Sequence, residues 1–278
     1  PRVSRAAALV AEKFDWMTPD QVRQTLFTTT DKMELTKDPE ELSENELRNI
    51  ITTPSDKYGW GMVNPDRALK GPGAFQKTNL YTNNFVFAAN IPNGTESYFE
   101  NNIYGAGGLD KLGKGKLHLT GDNSYAGGSI VNDGELHIHK VHSSPIRVDK
   151  NGTLVLHSRA IVGYDISSNQ IITNVDPQRI TSEGTKINNF GTVNFTGTTA
   201  IIGGDYFAHK GSTTQIGFRS NVKVLGNIKV EDGTVSVLSN GYVTKNEKST
   251  IMEGKSFEGN IANVETNGMR TANVEVKD

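Results

Sequence analysis

The sequence predicts two successive regions, a helical region over residues 1–75 and an all-β solenoid over residues 76–278. Helix-capping motifs divide the first region, whereas short alternating strands and frequent glycines fill the second. In the second region a glycine-led unit also recurs about every 20 residues. Such a regular repeat favours a parallel β-helix over an all-β sandwich, because in a β-helix each coil completes the core of the next.

The apolar run from Val3 to Val10 predicts the first helix. Apolar residues occupy nearly every side of this run, which indicates a helix enclosed by protein rather than one on a surface. Pro1 suits the first turn, because its missing N–H group would have no helical partner there.

Capping motifs mark the next three helices. Two are capping boxes, in which a hydroxyl at the N-cap is followed three residues later by Gln or Glu. They pair Thr18 with Gln21 and Ser43 with Glu46, and a short last helix runs from Asn64-Pro65 to Gly71-Pro72. The charged stretch 31–59 predicts a surface insertion, and Gln76–Thr82 predicts the join to the solenoid.

Each repeated unit is a glycine, a polar residue and an apolar–any–apolar strand. The copies begin at Gly115, Gly134, Gly152, Gly191 and Gly233, with a weaker copy at Gly211. They lie 18 to 22 residues apart, except for one interval of 39 residues. That interval indicates a coil around Ile171–Ile172 that has lost its glycine or been displaced by an insertion. We expect each glycine to supply a left-handed corner between faces.

Composition excludes several classes of function. The net charge of −2 argues against binding of nucleic acid or a membrane surface through bulk electrostatics. No apolar run approaches the ~20 residues that a membrane-spanning helix needs. Because the chain has no cysteine, disulfides, thiolate zinc sites and thiol catalysis are excluded.

No independent catalytic site is expected in the chain. Ser4 lies within a helix, and the Gly-x-Ser-x-Gly elbow of serine hydrolases is missing. Residues 108–115 nearly spell a phosphate-binding loop, but Gly115 stands where Ser or Thr would reach magnesium. Because an alternating strand follows, we expect a solenoid turn there.

Three histidines, His137, His139 and His142, are candidate metal ligands. His137 and His139 share one face of a strand, where two imidazoles two residues apart are able to bind one transition metal. Leu136 and Ile138 would occupy the inner face, so we expect the histidines to be solvent-facing surface residues without a metal.

Two further sets of residues are interpreted structurally. Turn chemistry accounts for four aspartates near glycines, with calcium binding as the alternative; these are Asp122, Asp133, Asp149 and Asp232. Four aromatic residues are expected in the stacked core or at coil edges: Phe190, Phe195, Phe207 and Phe218. We therefore expect no cofactor.

The opening "PRVSRAAALVAEKFDWMTPDQVRQTLFTTT" resembles the segment that follows the nucleophile in subtilisin-like serine proteases. The matching residues are Pro1, Val3, Ala6 to Leu9, Thr18 to Leu26 and Thr28 to Thr30. "YGWGMVNPDRAL" resembles that family's closing motif, a Gly-x-Gly hairpin feeding a last helix, through Gly59, Gly61, Val63, Asn64 and Ala68. The resemblance implies that residues 1–75 are the C-terminal portion of an α/β peptidase domain.

The same resemblance implies where the catalytic groups lie. The nucleophilic serine would stand four positions before Pro1, with the histidine and aspartate further upstream, so this chain would hold none of the three and be inactive alone. At the helix N-terminus, free N–H groups and the helix dipole would face the developing oxyanion. Pro1, Val3, Ala7 and Ala8 would pack behind the serine, and polypeptide substrates would bind through the upstream part.

Residues 113–140, "GKGKLHLTGDNSYAGGSIVNDGELHIHK", resemble the β-strand repeat of Gram-negative autotransporter passengers. This resemblance implies a right-handed parallel β-helix that is incomplete at its C-terminus. It also implies a β-barrel translocator beyond Asp278 and a location outside the cell or on its outer membrane.

Three functions are compatible with these patterns. The first is a fragment of a secreted subtilisin-like endopeptidase, which completes the protease fold and links it to a β-helix stalk. The second is a non-enzymatic β-helical surface adhesin with an N-terminal helical cap, and the third is a purely structural solenoid module. A Gly-Thr-Ser sequence followed by two or three small residues ahead of Pro1 would distinguish the first from the others.

Overall fold

A computed structural model describes most of the chain. It covers residues 1–76, 86–165, 170–171, 184–195, 199–239, 241–267 and 272–277. The helices are α1 (Arg2–Lys13), α2 (Pro19–Phe27), α3 (Glu44–Thr52) and α4 (Pro65–Ala68), with a 3₁₀ turn at Pro39–Glu41. Among these described helices, none has both the length and the apolar character that crossing a membrane would require.

Both predicted capping boxes are confirmed. The backbone N–H of Gln21 donates to the Thr18 hydroxyl at 3.2 Å, and the Gln21 side chain accepts from the Thr18 N–H at 3.0 Å. Ser43 and Glu46 make the same reciprocal pair at the start of α3, and the Asn64 side chain caps α4. No residue of α3 is buried, which confirms that this charged stretch lies on the surface.

Nineteen strands follow in the described residues. They are β1 (Val86–Asn90), β2 (Glu96–Phe99), β3 (Gly108–Leu112), β4 (Lys116–Leu119), β5 (Ser129–Ile138), β6 (Val141–His142), β7 (Ile146–Leu156), β8 (Ile161–Val162), β9 (Tyr164–Asp165), β10 (Gln170–Ile171), β11 (Thr185–Asn189), β12 (Thr192–Phe195), β13 (Ile201–Ile202), β14 (Asp205–Ala208), β15 (Thr213–Gly217), β16 (Val222–Val224), β17 (Ile228–Leu238), β18 (Met252–Glu253) and β19 (Phe257–Asn267).

The strands stack in parallel ladders, as a parallel β-helix requires. One ladder runs β1-β3-β5-β7-β11-β14-β17-β19, and a second runs β2-β4-β5-β7-β12-β15-β17-β19. The long strands β5, β7, β17 and β19 contribute to both ladders. The third ladder is β6-β8-β13-β16-β18. The solenoid prediction is therefore confirmed, while its handedness stays a prediction.

In-register pairing places equivalent side chains of successive coils in columns that fill the core. One column of the second ladder is Phe99, Leu119, Ile138, Leu156, Phe195, Ile216 and Val237. All of these side chains are buried. Alternate residues on the same strands point outward, so the period-two pattern separates core from surface.

The repeated glycines occupy coil corners, but mostly for a different reason from the one predicted. Only Gly134 and Gly211 among them have positive φ, at 61° and 82°. At Gly152 and Gly191, a Cβ atom would overlap a backbone carbonyl oxygen of the preceding coil, that of Val131 or Asp149. Close approach of stacked backbones, rather than a left-handed conformation, therefore explains these glycines.

The interval of 39 residues is explained by an insertion. β11 and β12 pair directly with the two halves of β7, through Ile187 with Ile146 and Thr192 with Thr153. On the third ladder, β13 likewise pairs with β8. The coils before and after the interval are thus neighbours, and the chain between β8 and β11 is additional. Ile172 lies outside the described residues.

The helical region closes one end of the solenoid core. Phe14 and Trp16 contact Phe99 edge-on or tilted, with ring centroids 5.6 and 5.9 Å apart. The Trp16 indole N–H donates to the Ser97 hydroxyl at 2.8 Å, and the Gln21 side chain donates to the Ala88 carbonyl at 2.6 Å. One apolar cluster therefore runs from α1 into the coils. The predicted boundary near residue 76 stays a prediction, because residues 77–85 lie outside the described part.

Candidate functional site

Helix α1 packs along one face. Ala6, Val10 and the following Phe14 are buried at the 3–4 spacing of a helix and lie against the cluster that includes α2 and α4. Lys13 at the last turn donates to the Leu69 carbonyl at 2.6 Å. The helix is therefore anchored by its C-terminal two turns.

The expected enclosure of this helix is not seen in the described chain. Val3, which continues the buried spacing by one more turn, is 59% exposed, and Leu9 is 44% exposed. Of the residues expected to pack behind a serine, Pro1 and Ala8 are also exposed and Ala7 is half-buried. The reason is that the described partners cover only one side of α1. Its first turn carries apolar surface that nothing in the described residues covers.

The closing hairpin forms as predicted. Asp31 and Met62 exchange backbone hydrogen bonds at 2.8 and 2.9 Å, and Trp60 stacks on Phe27 with ring centroids 5.6 Å apart. A side chain at Gly61 would overlap the Asp31 carbonyl, and its φ is 105°. The Asn64 side chain that caps α4 also donates to the Asp31 carboxylate at 3.0 Å. The hairpin thus ties the end of α2 to α4.

The two rejected catalytic motifs behave as expected. Ser4 is an exposed residue of α1. Residues 108–115 form β3 and a turn, in which Gly113 has a φ of 73°, before β4 begins. The neighbouring Lys111 is buried and donates to the carbonyls of Leu112, Gly113 and Asp133 at 2.8 to 3.1 Å. This part of the chain is a solenoid corner.

His142 was expected to face solvent, and that prediction is wrong. The residue is fully buried in the third ladder, where it stands in the inward column with Val162, Ile202 and Val224. Its Nδ1 donates to the Ser144 carbonyl at 2.6 Å, and its Nε2 accepts from the hydroxyl of Tyr125 or Ser129 at 2.9 or 2.7 Å. Burial lowers its pKa to about 4, so the imidazole is neutral at pH 7.

Acid is expected to destabilise the protein through His142. A folded-state pKa of about 4 lies below the unfolded value near 6.5, so only the unfolded chain gains a proton between them. The stability that the neutral imidazole contributes is complete above pH 6.5 and is lost as the pH falls toward 4, by roughly 3 kcal/mol.

The measurement is urea unfolding of wild type and His142→Gln at a series of pH values. The variant should be less stable at pH 7 because it loses hydrogen bonds, but its free energy of unfolding should fall less steeply with acid. His209→Gln, on a distant coil, is the comparison: burial lowers the pKa of this half-buried histidine as well, so its removal should alter the pH profile less than removal of the fully buried His142. Parallel pH profiles for wild type and His142→Gln would contradict the assignment.

His137 and His139 lie in a group that the sequence reasoning missed. His137 and His139 lie near each other on the outer surface, whereas the alternate residues Leu136 and Ile138 lie in the core. Two further histidines, His118 and His157, stand beside them on neighbouring coils. Because rings on adjacent strands stack on one another, the His137 side chain is only 12% exposed, so these histidines face outward as predicted but are partly covered by neighbouring rings.

We name these four residues the histidine cluster: His118, His137, His139 and His157. His118 stacks on His137 and His139 stacks on His157, with ring centroids 4.1 and 3.8 Å apart. Burial first, then the neighbouring imidazoles, lower the pKa of His137 and His139 to about 4. Both rings are therefore neutral at pH 7.

The four aspartates lie apart from one another, with Asp133, Asp149 and Asp232 inside β5, β7 and β17 and Asp122 in the chain between β4 and β5. Asp133 accepts from the Gly134 N–H at 2.7 Å, Asp149 pairs with Arg147 at 2.9 Å, and Asp232 accepts from the Asn260 amide. Within the described parts of the chain, the histidine cluster is the only group of three or more His, Asp or Glu side chains close enough to share a metal ion. Three of the four aspartates thus stand within strands and not in the turns that the sequence predicted.

The four aromatic residues divide between core and surface. Phe195 is buried in the core and Phe218 packs against it half-buried. Phe190 and Phe207 both stack on the His209 ring, with ring centroids 3.9 and 3.8 Å from it. Phe190 and Phe207 therefore lie at coil edges, which was one of the two positions expected for the aromatic residues.

Comparison with known proteins matches two family models. Residues 1–61 match the subtilase family, and residues 109–138 match the passenger-associated transport repeat. The first match covers α1 to the closing hairpin. The second covers β3 to β5, which carry His118 and His137 of the histidine cluster.

Three curated relatives are similar to parts of this chain. The Neisserial autotransporter lipoprotein NalP of Neisseria meningitidis is 28% identical over 221 residues, which is 74% of this chain and 18% of the relative. An extracellular serine protease of Serratia marcescens is 29% identical over 182 residues, 55% of this chain and 16% of the relative. Serotype-specific antigen 1 of Mannheimia haemolytica is 26% identical over 160 residues, 56% of this chain and 14% of the relative.

The chain therefore spans less than a fifth of the length of these relatives. Its helical region carries the subtilase match and its parallel ladders carry the passenger repeat. The order of the two matches agrees with the order of the two structural regions. The chain is therefore similar to part of a subtilisin-like autotransporter, in which subtilase sequence continues into a β-helical passenger.

Proposed function

We propose that this chain supplies the C-terminal part of the peptidase domain of a serine endopeptidase and attaches that domain to a β-helix stalk. The observation that carries the proposal is the first helix. It belongs to the subtilase match, is anchored by Ala6 and Val10, and presents an uncovered apolar first turn at Val3. A preceding part of a peptidase domain would bury that turn.

In the proposed mechanism the helix acts as a support. A serine ahead of Pro1 would lie at the positive end of the helix dipole, where backbone N–H groups stabilise the oxyanion formed on the attacked peptide carbonyl. An upstream histidine would take the serine proton and an aspartate would orient that histidine. Pro1, Val3, Ala7 and Ala8 would fix the helix behind the serine without touching the substrate.

The location is the surface or the surroundings of a Gram-negative bacterium, in line with relatives that are named an autotransporter and an extracellular protease. We also propose that a C-terminal translocator barrel follows Asp278 and that the substrates are polypeptides. The subtilase match over residues 1–61 favours this function over a non-enzymatic adhesin.

Proteolysis is expected to require sequence ahead of Pro1. The 278-residue chain should not cleave a chromogenic peptide, whereas the reading frame extended upstream through a Gly-Thr-Ser sequence should do so and should react with a serine-directed fluorophosphonate. Cleavage by the 278-residue chain that the inhibitor abolishes would refute the assignment, as would an extended frame without that serine.

Val3→Asp separates a support role from a bystander role. In the 278-residue chain the substitution should change stability by at most about 0.5 kcal/mol, because Val3 is exposed there. In the extended chain it should lower both stability and peptide turnover, because a charge would be buried against the rest of the domain. Equal effects in the two chains would contradict the proposed packing.

A further inference from the structure

We propose that the histidine cluster binds a divalent transition-metal ion of the zinc, nickel and copper class through four imidazoles. The cluster lies on the outside of the solenoid at the second ladder, where it joins β4, β5 and the residue after β7. The proposal concerns the passenger region alone and does not depend on the proposed protease activity.

The donor atoms converge. One ring nitrogen from each of the four histidines lies within 4.8 Å of all the others. Two pairs are in direct contact, His118 Nδ1 with His139 Nε2 at 2.8 Å and His137 Nδ1 with His157 Nε2 at 2.9 Å. Metal–imidazole bonds are about 2.0–2.1 Å long, so nitrogens around one ion lie roughly 3 Å apart. Small side-chain rotations are therefore enough to bring all four nitrogens to one ion.

Two carboxylates orient the donors. His118 Nε2 donates to Glu96 at 2.5 Å, and His137 Nε2 donates to Glu135 at 3.1 Å. Because those nitrogens carry the proton, the Nδ1 atoms of His118 and His137 present lone pairs to the centre of the cluster. A carboxylate on the far nitrogen of a metal-binding histidine fixes its tautomer and raises its basicity.

The surroundings favour binding of a metal over a structural stack of rings. Tyr98 covers His118 with its ring 4.3 Å away, which limits access from one end. The remaining side, at His139 and His157, is half-buried and open enough for an ion to enter. Imidazole nitrogen without thiolate suits zinc, nickel and copper rather than calcium or magnesium. The four rings are also held by three successive coils, so the site is formed by the fold itself.

Calorimetric titration of the metal-free 278-residue chain with ZnCl₂ at neutral pH tests the proposal. We expect one equivalent to bind, and substitution of both His139 and His157 by Asn to weaken binding at least about 100-fold. These two histidines lie beyond the strand ends at the open side, and the circular dichroism spectrum will show whether the variant retains its β-structure. His209→Asn, outside the cluster, should bind zinc as wild type does.

Glu96→Ala provides a milder test of the orienting carboxylate, since the Glu96 side chain is about half exposed, at 46%, and is not part of the apolar core. Zinc affinity should fall about tenfold. Glu100→Ala, two residues after Tyr98, is the control and should leave zinc affinity unchanged. Cobalt substitution adds a spectroscopic measure, because Co²⁺ in a four-nitrogen site should give visible absorption that zinc abolishes.

Imidazole NMR signals of the wild-type chain make the test independent of any variant. Zinc should shift the signals of the four cluster histidines and leave those of His142 and His209 in place. Absence of zinc uptake, uptake that the double variant retains, or shifts confined to other histidines would each overturn the proposal.

Discussion

Replacing Gly191 by alanine is expected to lower the free energy of unfolding by about 3 kcal/mol, the upper end of what overpacking usually costs. The new Cβ would overlap the carbonyl oxygens of Asp149 and Gly152, both in the backbone of β7. Backbone atoms cannot rotate away as a side chain does, so β12 would have to separate from β7. The parallel pairs at Thr192 and Val193 are the first contacts that would be lost.

Urea unfolding followed by circular dichroism measures this effect. Gly241→Ala is the matched control, because a Cβ there meets only the Arg219 guanidinium at 3.8 Å, an ordinary contact. It should change stability by no more than about 0.5 kcal/mol. If Gly191→Ala and Gly241→Ala unfold at the same urea concentration, close stacking of the coils does not explain the glycine.

Phe99→Ala should have an effect of similar size, about 3–5 kcal/mol, at the other end of the solenoid. The Phe99 side chain is fully buried and contacts Phe14, Trp16 and Phe87 with ring centroids 5.6 to 6.0 Å away. Removing the ring leaves a cavity where the helices meet the first coil. The helical region should therefore detach before the coils unfold.

Two probes distinguish detachment from general unfolding. Tryptophan fluorescence reports the helical region, since both tryptophans, Trp16 and Trp60, lie there, and far-ultraviolet circular dichroism is dominated by the coils. In Phe99→Ala the fluorescence transition should occur at lower urea than the dichroism transition. Tyr242→Ala, at a side chain that is 84% exposed, should leave both unchanged. If both transitions in Phe99→Ala coincide and are not shifted from wild type, the contact between the helical region and the first coil contributes little to stability.

The alternation of apolar residues was enough to predict the inner face of each coil. Leu136 and Ile138 are buried as expected, because the side-chain period of two holds whatever the neighbouring strand is. The capping boxes were predicted for the same reason, since each depends on residues three apart in one helix. Local physical rules therefore explain the elements and their faces.

The histidine cluster depends on contacts between coils, which a single strand does not reveal. His137 looked exposed because its own strand places it outward, and the rings that cover it come from other coils. The signal was nevertheless present in the repeat. His118 and His137 stand at the same position after Gly115 and Gly134, and His139 and His157 share another position after their glycines. Aligning the repeats in columns would have placed the four rings side by side.

The glycine period was also predicted correctly while its cause was not. A repeating glycine fits either a left-handed corner or a close approach of backbones, and the sequence alone does not separate these. The described partners of α1 cover only one of its sides. The apolar composition of the helix was therefore a poor guide to its exposure in this chain.

Because the coils on either side of the long interval hydrogen-bond directly to each other, the ladder does not depend on the chain between β8 and β11. That corner is consequently a natural grafting position. A foreign epitope or recognition tag introduced there would be displayed at the flank of the stalk while the register of every neighbouring coil is preserved.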